Sequence, residues 1–405
     1  MIITAVICEY NPFHNGHLYQ LQMARKLTHA DYIVAVMSGN FVQRGEPAII
    51  NKWARSEIAL LGGADLIIEL PLPFAISSAE YFASGAIKLL NSTRTINYVC
   101  FGSEIGSTEK LFEIAEIYIS EDTDFKRVLH KNLESGLSFP TARANALPKN
   151  LREIASQPNN ILGIEYIKAL IRTNSKIRPI TLKREGSDYN EILLPKGNIF
   201  ASATSIRKNI YKSANFVTVE SQAILEREFS SLRGPVYHEE IFQNLRYKIR
   251  NLDPKTIKEY PGVSEGLENK IFRAFATSNN LDEAIQQIIS KRYPKTRIMR
   301  SLLCIYLDLN NSKMASFYAS GPTYIRVLGF KKSSKPLLKQ IKLRKLKRVE
   351  FTTRLKTLAE SHKKSISNLA QVEMLSTDLY VLNYPKESTQ KYSGQEFTTN
   401  PVILQ

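Results

Sequence analysis

Residues 3–27 read ITAVICEYNPFHNGHLYQLQMARKL, and their order decides the fold. ITAVICE (3–9) is a β-branched apolar run that ends in a charge, the pattern of a buried strand. From residue 17 to 29 the apolar residues recur at helical spacing. Between them, His14 and His17 flank Asn15-Gly16, an H-x-G-H sequence at the start of the helix. Gly16 has no Cβ, so a ligand can approach the backbone closely. The free N–H groups of a helix start point at an anion, and the helix dipole favours negative charge there. Imidazoles can donate hydrogen bonds to phosphate oxygens as charge builds on them in a transition state. Pro12 stiffens the entry to the turn. Two other uses of the pair are open: metal ligation, and ordinary loop and cap roles. No cysteine or carboxylate set lies nearby to complete a metal site, so no metal ligands are assigned. The strand-to-helix context decides for a nucleotide polyphosphate.

The rest of the first half repeats the rhythm. DYIVAVMSG (31–39), ADLIIELP (64–71), INYVCFGSE (96–104) and KIRPITLKR (176–184) read as further strands. Helical spacing fills 50–61 and 76–90, and another helix begins near Ile161. Strand, helix, strand implies right-handed crossovers and a parallel sheet covered on both faces, an α/β, Rossmann-like fold. Ligands then bind beyond the carboxyl ends of the strands, after Glu9, Ser38, Leu70 and Phe101. From about residue 236 the pattern turns helical, over 237–252, 267–276, 281–292 and 296–309. LYVLNYP (379–385) is one late strand candidate. The expected division is a nucleotide-binding catalytic domain at 1–235 and a mostly α-helical, basic domain at 236–405.

The chain has 405 residues with 55 Lys and Arg against 38 Asp and Glu, a net charge of +17 that favours a polyanionic partner. With 43% hydrophobic residues the composition excludes a disordered chain. Residues 331–364 hold thirteen Lys or Arg against Glu350 and Glu360, and this stretch suits a nucleic-acid backbone. Its alternatives are an amphipathic helix with a solvated charged face and a membrane-surface role. Cys8, Cys100 and Cys304 are scattered in apolar settings, which predicts reduced, buried thiols. No apolar run approaches the roughly 18 residues needed to span a bilayer. The start of the chain lacks a secretory leader pattern. The expected location is cytoplasmic.

SATSIRKNI (202–210) adds Ser202, Thr204 and Ser205 before a second helix that carries Arg207 in its first turn. Such hydroxyls cap helices, and beside Arg207 and Lys208 they can also hold β- and γ-phosphates. Arg44, Lys52 and Arg55 follow the second strand; a role facing phosphate or nucleic acid competes with a solvated basic face.

NPFHNGH and SATSIR together resemble the H-x-G-H nucleotidyltransferase superfamily. The series EYNPFHNGHLYQL, SGNFVQRGEPAI, GADLIIELP, CFGSE, QPNNILGIEY, SATSIR and KRYPKTRIMRSLLC (291–304) is similar to the bacterial tRNA(Met) cytidine acetate ligase family and covers most of the chain. The resemblance implies an enzyme that activates acetate with ATP as acetyl-adenylate. It then acetylates N4 of the wobble cytidine of elongator tRNA(Met). ATP would be held by Ile7, Cys8, Glu9, Tyr10, Asn11, Pro12, Phe13, His14, Asn15, Gly16, His17, Leu18, Tyr19 and Gln20. Gly102, Asn159 and Arg184 would complete its site, with Asn160 an alternative to Asn159. His14 and His17 are the catalytic candidates; Ser202, Thr204 and Arg207 are assigned to the triphosphate tail. Mg²⁺ bridging phosphate oxygens is expected, since it needs few protein ligands. No residue is singled out as general base for the acyl transfer. The competing reading is a nucleotidyltransferase that adenylylates or cytidylylates a small phosphorylated metabolite. A non-catalytic RNA-binding protein is a third.

Overall fold

The computed structural model describes residues 1–184 and 200–405. Its strands in chain order are β1 (Ile3–Cys8), β2 (Tyr32–Ser38), β3 (Phe41–Val42), β4 (Glu46–Pro47), β5 (Leu66–Leu70), β6 (Tyr98–Ser103), β7 (Arg178–Lys183), β8 (Tyr324–Lys331), β9 (Glu350–Thr352) and β10 (Val402–Leu404). The main sheet runs β10-β8-β5-β2-β1-β6-β7, with β9 paired to β8 off this path. β5, β2, β1, β6 and β7 are mutually parallel, as the alternating sequence requires. Side chains alternate across the sheet: Ile3, Ala5 and Ile7 of β1 join one buried cluster, Val6 and Cys8 the other. The chain leaves β1 toward β2 and β5, then returns to place β6 on the other side. The strand order therefore reverses between β1 and β6, and that is where doubly wound sheets open a crevice.

The second half does not stand apart from this sheet. β8 pairs antiparallel with β5, and β10 and β9 pair parallel with β8, so the sheet crosses the expected division at 235. YIRVLGFK (324–331) forms a strand although its charges break the apolar run. In the fold Arg326 is fully buried, neutralised by Glu69 and Glu396. LYVLNYP is a correction in the other direction. Its first residues end the helix Lys364–Val381. Tyr380 and Val381 continue the buried series Ile366, Leu369, Ala370, Glu373, Ser376 and Thr377, a helical period that overrides local β-propensity. Helices of the second half form a third apolar cluster that also takes in Phe41, Leu72 and Ile76.

Besides the shared sheet and apolar cluster, two close contacts help fix the halves together. Gly45, at φ 81° in the turn between β3 and β4, meets helix Lys295–Tyr306 so closely that a Cβ would sit 2.5 Å from the Arg300 nitrogen. Only glycine fits there, which links the RGEP and KTRIMR segments of the sequence. Next to β5, Lys52 Nζ lies 2.6 Å from Glu69, 2.5 Å from Glu396 and 3.5 Å from Glu373, all fully or almost fully buried. Arg326 closes the cluster against Glu69 and Glu396. Three carboxyls face two cations. Burial, and then the Glu69 charge, push the Glu373 carboxyl up to about 8, so it carries the surplus proton. The three cysteines are free and buried, and burial holds the Cys100 and Cys304 thiols up to about 12.

Candidate active site at the carboxyl ends of the strands

A cleft opens at the strand-order reversal, over the ends of β1, β6 and β7. Every described residue lining it lies between Ile7 and Arg207. The helix Asn15–Thr28 starts at its floor, and His14 is that helix's N-cap. His14 Nδ1 accepts from the Gly16 N–H at 3.1 Å, and His17 Nδ1 accepts from the His14 N–H at 3.2 Å. The two histidines thus form a reciprocal capping box, the arrangement usually built from Ser/Thr and Glu. With each Nδ1 used as an acceptor, the neutral tautomer carries its proton on Nε2. The rings stack at 3.6 Å between centroids, and Tyr10 and Phe13 pack on His17.

Both imidazoles are neutral. Burial, then the charges of Arg184 and Arg207, lower His14 to about 3. Burial, then His14 and Arg184, lower His17 well below its usual range. The cleft therefore offers two uncharged Nε2–H donors beside cations, suited to an anion that arrives with its own charge.

The structure places the other sequence-assigned residues as follows. Ile7, Cys8, Glu9, Tyr10, Asn11, His14, Gly16, His17, Tyr19 and Gln20 line the cleft; Pro12, Phe13, Asn15 and Leu18 do not. Phe13 is fully buried against Gly62, and Asn15 donates to the Asn215 carbonyl. Gly102, Asn159, Arg184, Ser202, Thr204 and Arg207 all line the cleft. A Cβ on Gly102 would press on the Arg184 side chain at 3.2 Å. Asn159 and Asn160 part company. Asn160 is wholly buried, its carbonyl oxygen accepting from the N–H groups of Glu104 and Ile105, whereas Asn159 faces the cleft. Glu104 accepts from both asparagine N–H groups and so caps the helix Pro158–Arg172. Ser202 caps the short helix Ala203–Lys208. Arg207 donates to the Asn11 carbonyl at 2.7 Å, tying this helix to the first turn.

Lys52 and Arg55 are corrections. Neither faces phosphate or tRNA, because both are fully buried. Lys52 sits in the carboxylate cluster, and Arg55 donates to the carbonyls of Glu9, Ser38, Gly39 and Ile50. Arg55 thereby clamps the loops after β1 and β2. Arg44 does reach the cleft, where it donates to Thr204 Oγ1 at 3.0 Å. Sequence reasoning missed Gln43, Phe82, Leu162, Tyr166, Lys183 and Phe200 on the cleft wall. Gln43 could have been found from its place after the second strand; the aromatic residues carry no local signal. His238, Glu239 and Asp282 are the one described trio spaced for a metal, but Glu239 caps a helix and Asp282 pairs with Lys295.

A switch-point cleft floored by an H-x-G-H helix start defines a nucleotidyltransferase-type nucleotide site. The chain belongs to the HIGH Nucleotidyl Transferase family, whose model matches residues 1–396. It is 44% identical to the tRNA(Met) cytidine acetate ligase of Acetivibrio thermocellus over 100% of both chains. It is 42% identical to that of Halothermothrix orenii, over 100% of this chain and 99% of the other. Among solved structures it resembles Thermotoga maritima TmcAL bound with alpha-thio ATP, with TM-score 0.92, 33% identity and 100% of each chain covered. The apo form of that protein gives 0.94 at 32% identity, with the same coverage. No helix among the described residues is long and apolar enough to cross a membrane.

Proposed function

We propose that the chain is an ATP-dependent tRNA(Met) cytidine acetate ligase. It activates acetate as acetyl-adenylate and transfers the acetyl group to N4 of the wobble cytidine of elongator tRNA(Met). The observation that carries this reading is the pair of neutral, cap-oriented imidazoles in a cleft ringed by Arg44, Arg184 and Arg207, within a chain aligned end to end with ligases of that name.

In the first step an acetate oxygen attacks the α-phosphorus in line, and the bond to pyrophosphate breaks. His14 and His17 donate Nε2–H to the phosphate oxygens that gain charge. Arg184 and Arg207, with the hydroxyls of Ser202 and Thr204, hold the triphosphate tail. Asn159 and Gly102 lie on the side of β6, where Gly102 leaves room for the nucleoside. Glu9 is the only carboxylate among the described lining residues, and with phosphate oxygens and water it suffices to hold Mg²⁺. Mg²⁺ would neutralise triphosphate charge. In the second step the cytidine N4 attacks the acetyl carbonyl carbon, AMP leaves with the C–O electron pair, and N4 releases a proton. The base must be splayed out of its stack to enter the cleft. Residues 1–235 supply the cleft, and residues 236–405 supply basic surface for the tRNA.

The test is incubation with ATP, labelled acetate and total tRNA, followed by digestion to nucleosides. Label in N4-acetylcytidine is expected. Its absence with folded protein and elongator tRNA(Met) present would sink the assignment.

A further inference from the structure

A large cavity lies at the opposite end of the sheet from the cleft. It has a volume of about 1210 Å³ and runs beneath the amino ends of β1, β6 and β7, past Ile2, Asn97 and Ile177. One wall is the segment 88–98 with 173–178; the other is 319–322 with residues of 340–349. Six cations line it, Lys88, Arg94, Lys176, Arg178, Arg344 and Arg348, and no acidic residue does. None of the six forms an ion pair or a side-chain hydrogen bond among the described residues. Where surface ion pairs form, as in Lys110–Glu113, Arg172–Glu80, Arg292–Glu265 and Lys313–Asp308, an acid stands beside the cation; in this groove six cations converge with no acid on the lining.

A bland cause must be weighed. The helices Ala79–Thr93, Pro158–Arg172 and Lys335–Arg344 all end at this groove, and cations favour helix C-termini. Each terminus carries only about half a negative charge, so three offset roughly a quarter of six full charges. The remainder is unmatched. Such a concentration of unpaired charge in one open groove raises a positive potential that draws a polyanion. Five of the six side chains are exposed, and Lys88 is half-buried, so all can reach a ligand. The walls also offer the Asn97 and Asn174 side-chain N–H groups, which suit sugar and phosphate contacts.

We propose that this groove is a second RNA-backbone site, gripping phosphates of the tRNA remote from its wobble base. The proposal rests on the ligase reading for the identity of the RNA. β1 is six residues long, so the groove lies about 20 Å from the cleft along the strand direction. At ~3.4 Å per nucleotide along a strand, that distance spans at least about six nucleotides. The RNA that fills the groove is therefore the stem flanking the anticodon loop, while the loop enters the cleft. The same placement explains why the basic segment 331–364 folds back: Arg344 and Arg348 complete a groove that the first half begins with Lys88, Arg94, Lys176 and Arg178.

The experiment measures direct binding of elongator tRNA(Met) between 50 and 300 mM salt, with acetate-dependent ATP–pyrophosphate exchange on the same samples. The triple variant Arg94→Gln, Arg178→Gln, Arg348→Gln should bind roughly 10²-fold more weakly near 0.1 M salt. Its log–log salt slope should flatten by about two to three. Exchange should persist, showing that fold and ATP cleft survive. A control triple of exposed cations outside the groove, Lys126→Gln, Lys131→Gln, Lys149→Gln, should lose far less. Unchanged affinity in the first triple, or an equal loss in the control, overturns the proposal. Binding is read without turnover. If wild type makes no N4-acetylcytidine, the ligase reading fails while the groove is still judged by its own data.

Discussion

The two ends of the sheet are built on opposite principles. At the carboxyl ends several cations are tied to fixed partners: Arg55 to four backbone carbonyls, Arg207 to Asn11, Arg44 to Thr204, and Lys52 to three carboxyls. At the amino ends six cations have none among the described residues. Paired, buried groups hold atoms in place, which in-line transfer requires. Unpaired, exposed cations keep their charge available for a ligand and do little for the fold. The comparison predicts that substitutions at the first end damage stability or chemistry, and that those at the second damage affinity alone.

The largest effect is expected where burial is deepest. Lys52→Met removes the ammonium from Glu69, Glu373 and Glu396 and leaves Arg326 to face three carboxyls. A loss of about 3–5 kcal/mol in unfolding free energy is expected. Denaturant melts measure it, and a loss under 1 kcal/mol would mean the cluster is not a joint between the halves. Next comes chemistry. His17→Ala removes an Nε2–H donor and should slow acetate-dependent exchange by about 10²–10³-fold, with tRNA binding intact. Exchange at the wild-type rate would remove His17 from the reaction. Asn160→Ala, which strands the N–H groups of Glu104 and Ile105, should cost about 1–3 kcal/mol of stability. Asn159→Ala should instead raise the KM for ATP. If the two variants exchange these phenotypes, the cleft is wrongly drawn.

The pH dependence tests the same end more gently. His14 is held at about 3 in the fold against roughly 6.5 unfolded. Between those values the unfolded chain binds more protons, so stability is complete above about 6.5 and falls as the pH drops. At pH 5.5 the His14 share of the loss is about 1.4 kcal/mol. His14→Asn keeps a capping acceptor and removes that share. Parallel stability curves for variant and wild type between pH 7.5 and 5.5 would show that His14 is not buried as described.

Much of the carboxyl end was legible in the sequence because it is local. Strand, H-x-G-H turn and helix lie within 26 residues, Ile3 to Thr28, and the glycine and caps declare themselves. The parallel strands were legible for the same reason, since β1, β2, β5 and β6 each hold a short apolar run between turn residues, with Glu69 the one charge inside them. Lys52 and Arg55 misled because charge normally marks surface, and their burial depends on Glu373, Glu396 and backbone carbonyls far along the chain. β8 was hidden for the same cause, since Arg326 reads as solvent-facing until Glu69 and Glu396 arrive. The groove was half legible. The basic run 331–364 was plain, but its union with Lys88, Arg94, Lys176 and Arg178 exists only after the sheet has formed.

The smallest effect is also the sharpest divider between the two ends. Arg348→Gln removes one exposed cation that makes no ion pair among the described residues. Stability should stay within about 0.5 kcal/mol of wild type, because no buried group loses a partner. tRNA affinity should fall several-fold near 0.1 M salt, and the salt slope should drop by about one, the signature of a single phosphate contact. The same drop is expected for unrelated RNA stems, since a backbone contact carries no sequence information. A loss confined to elongator tRNA(Met) would instead place Arg348 against a base. A loss of stability without a change in slope would make it a structural residue, and the contrast between the two ends of the sheet would not hold there.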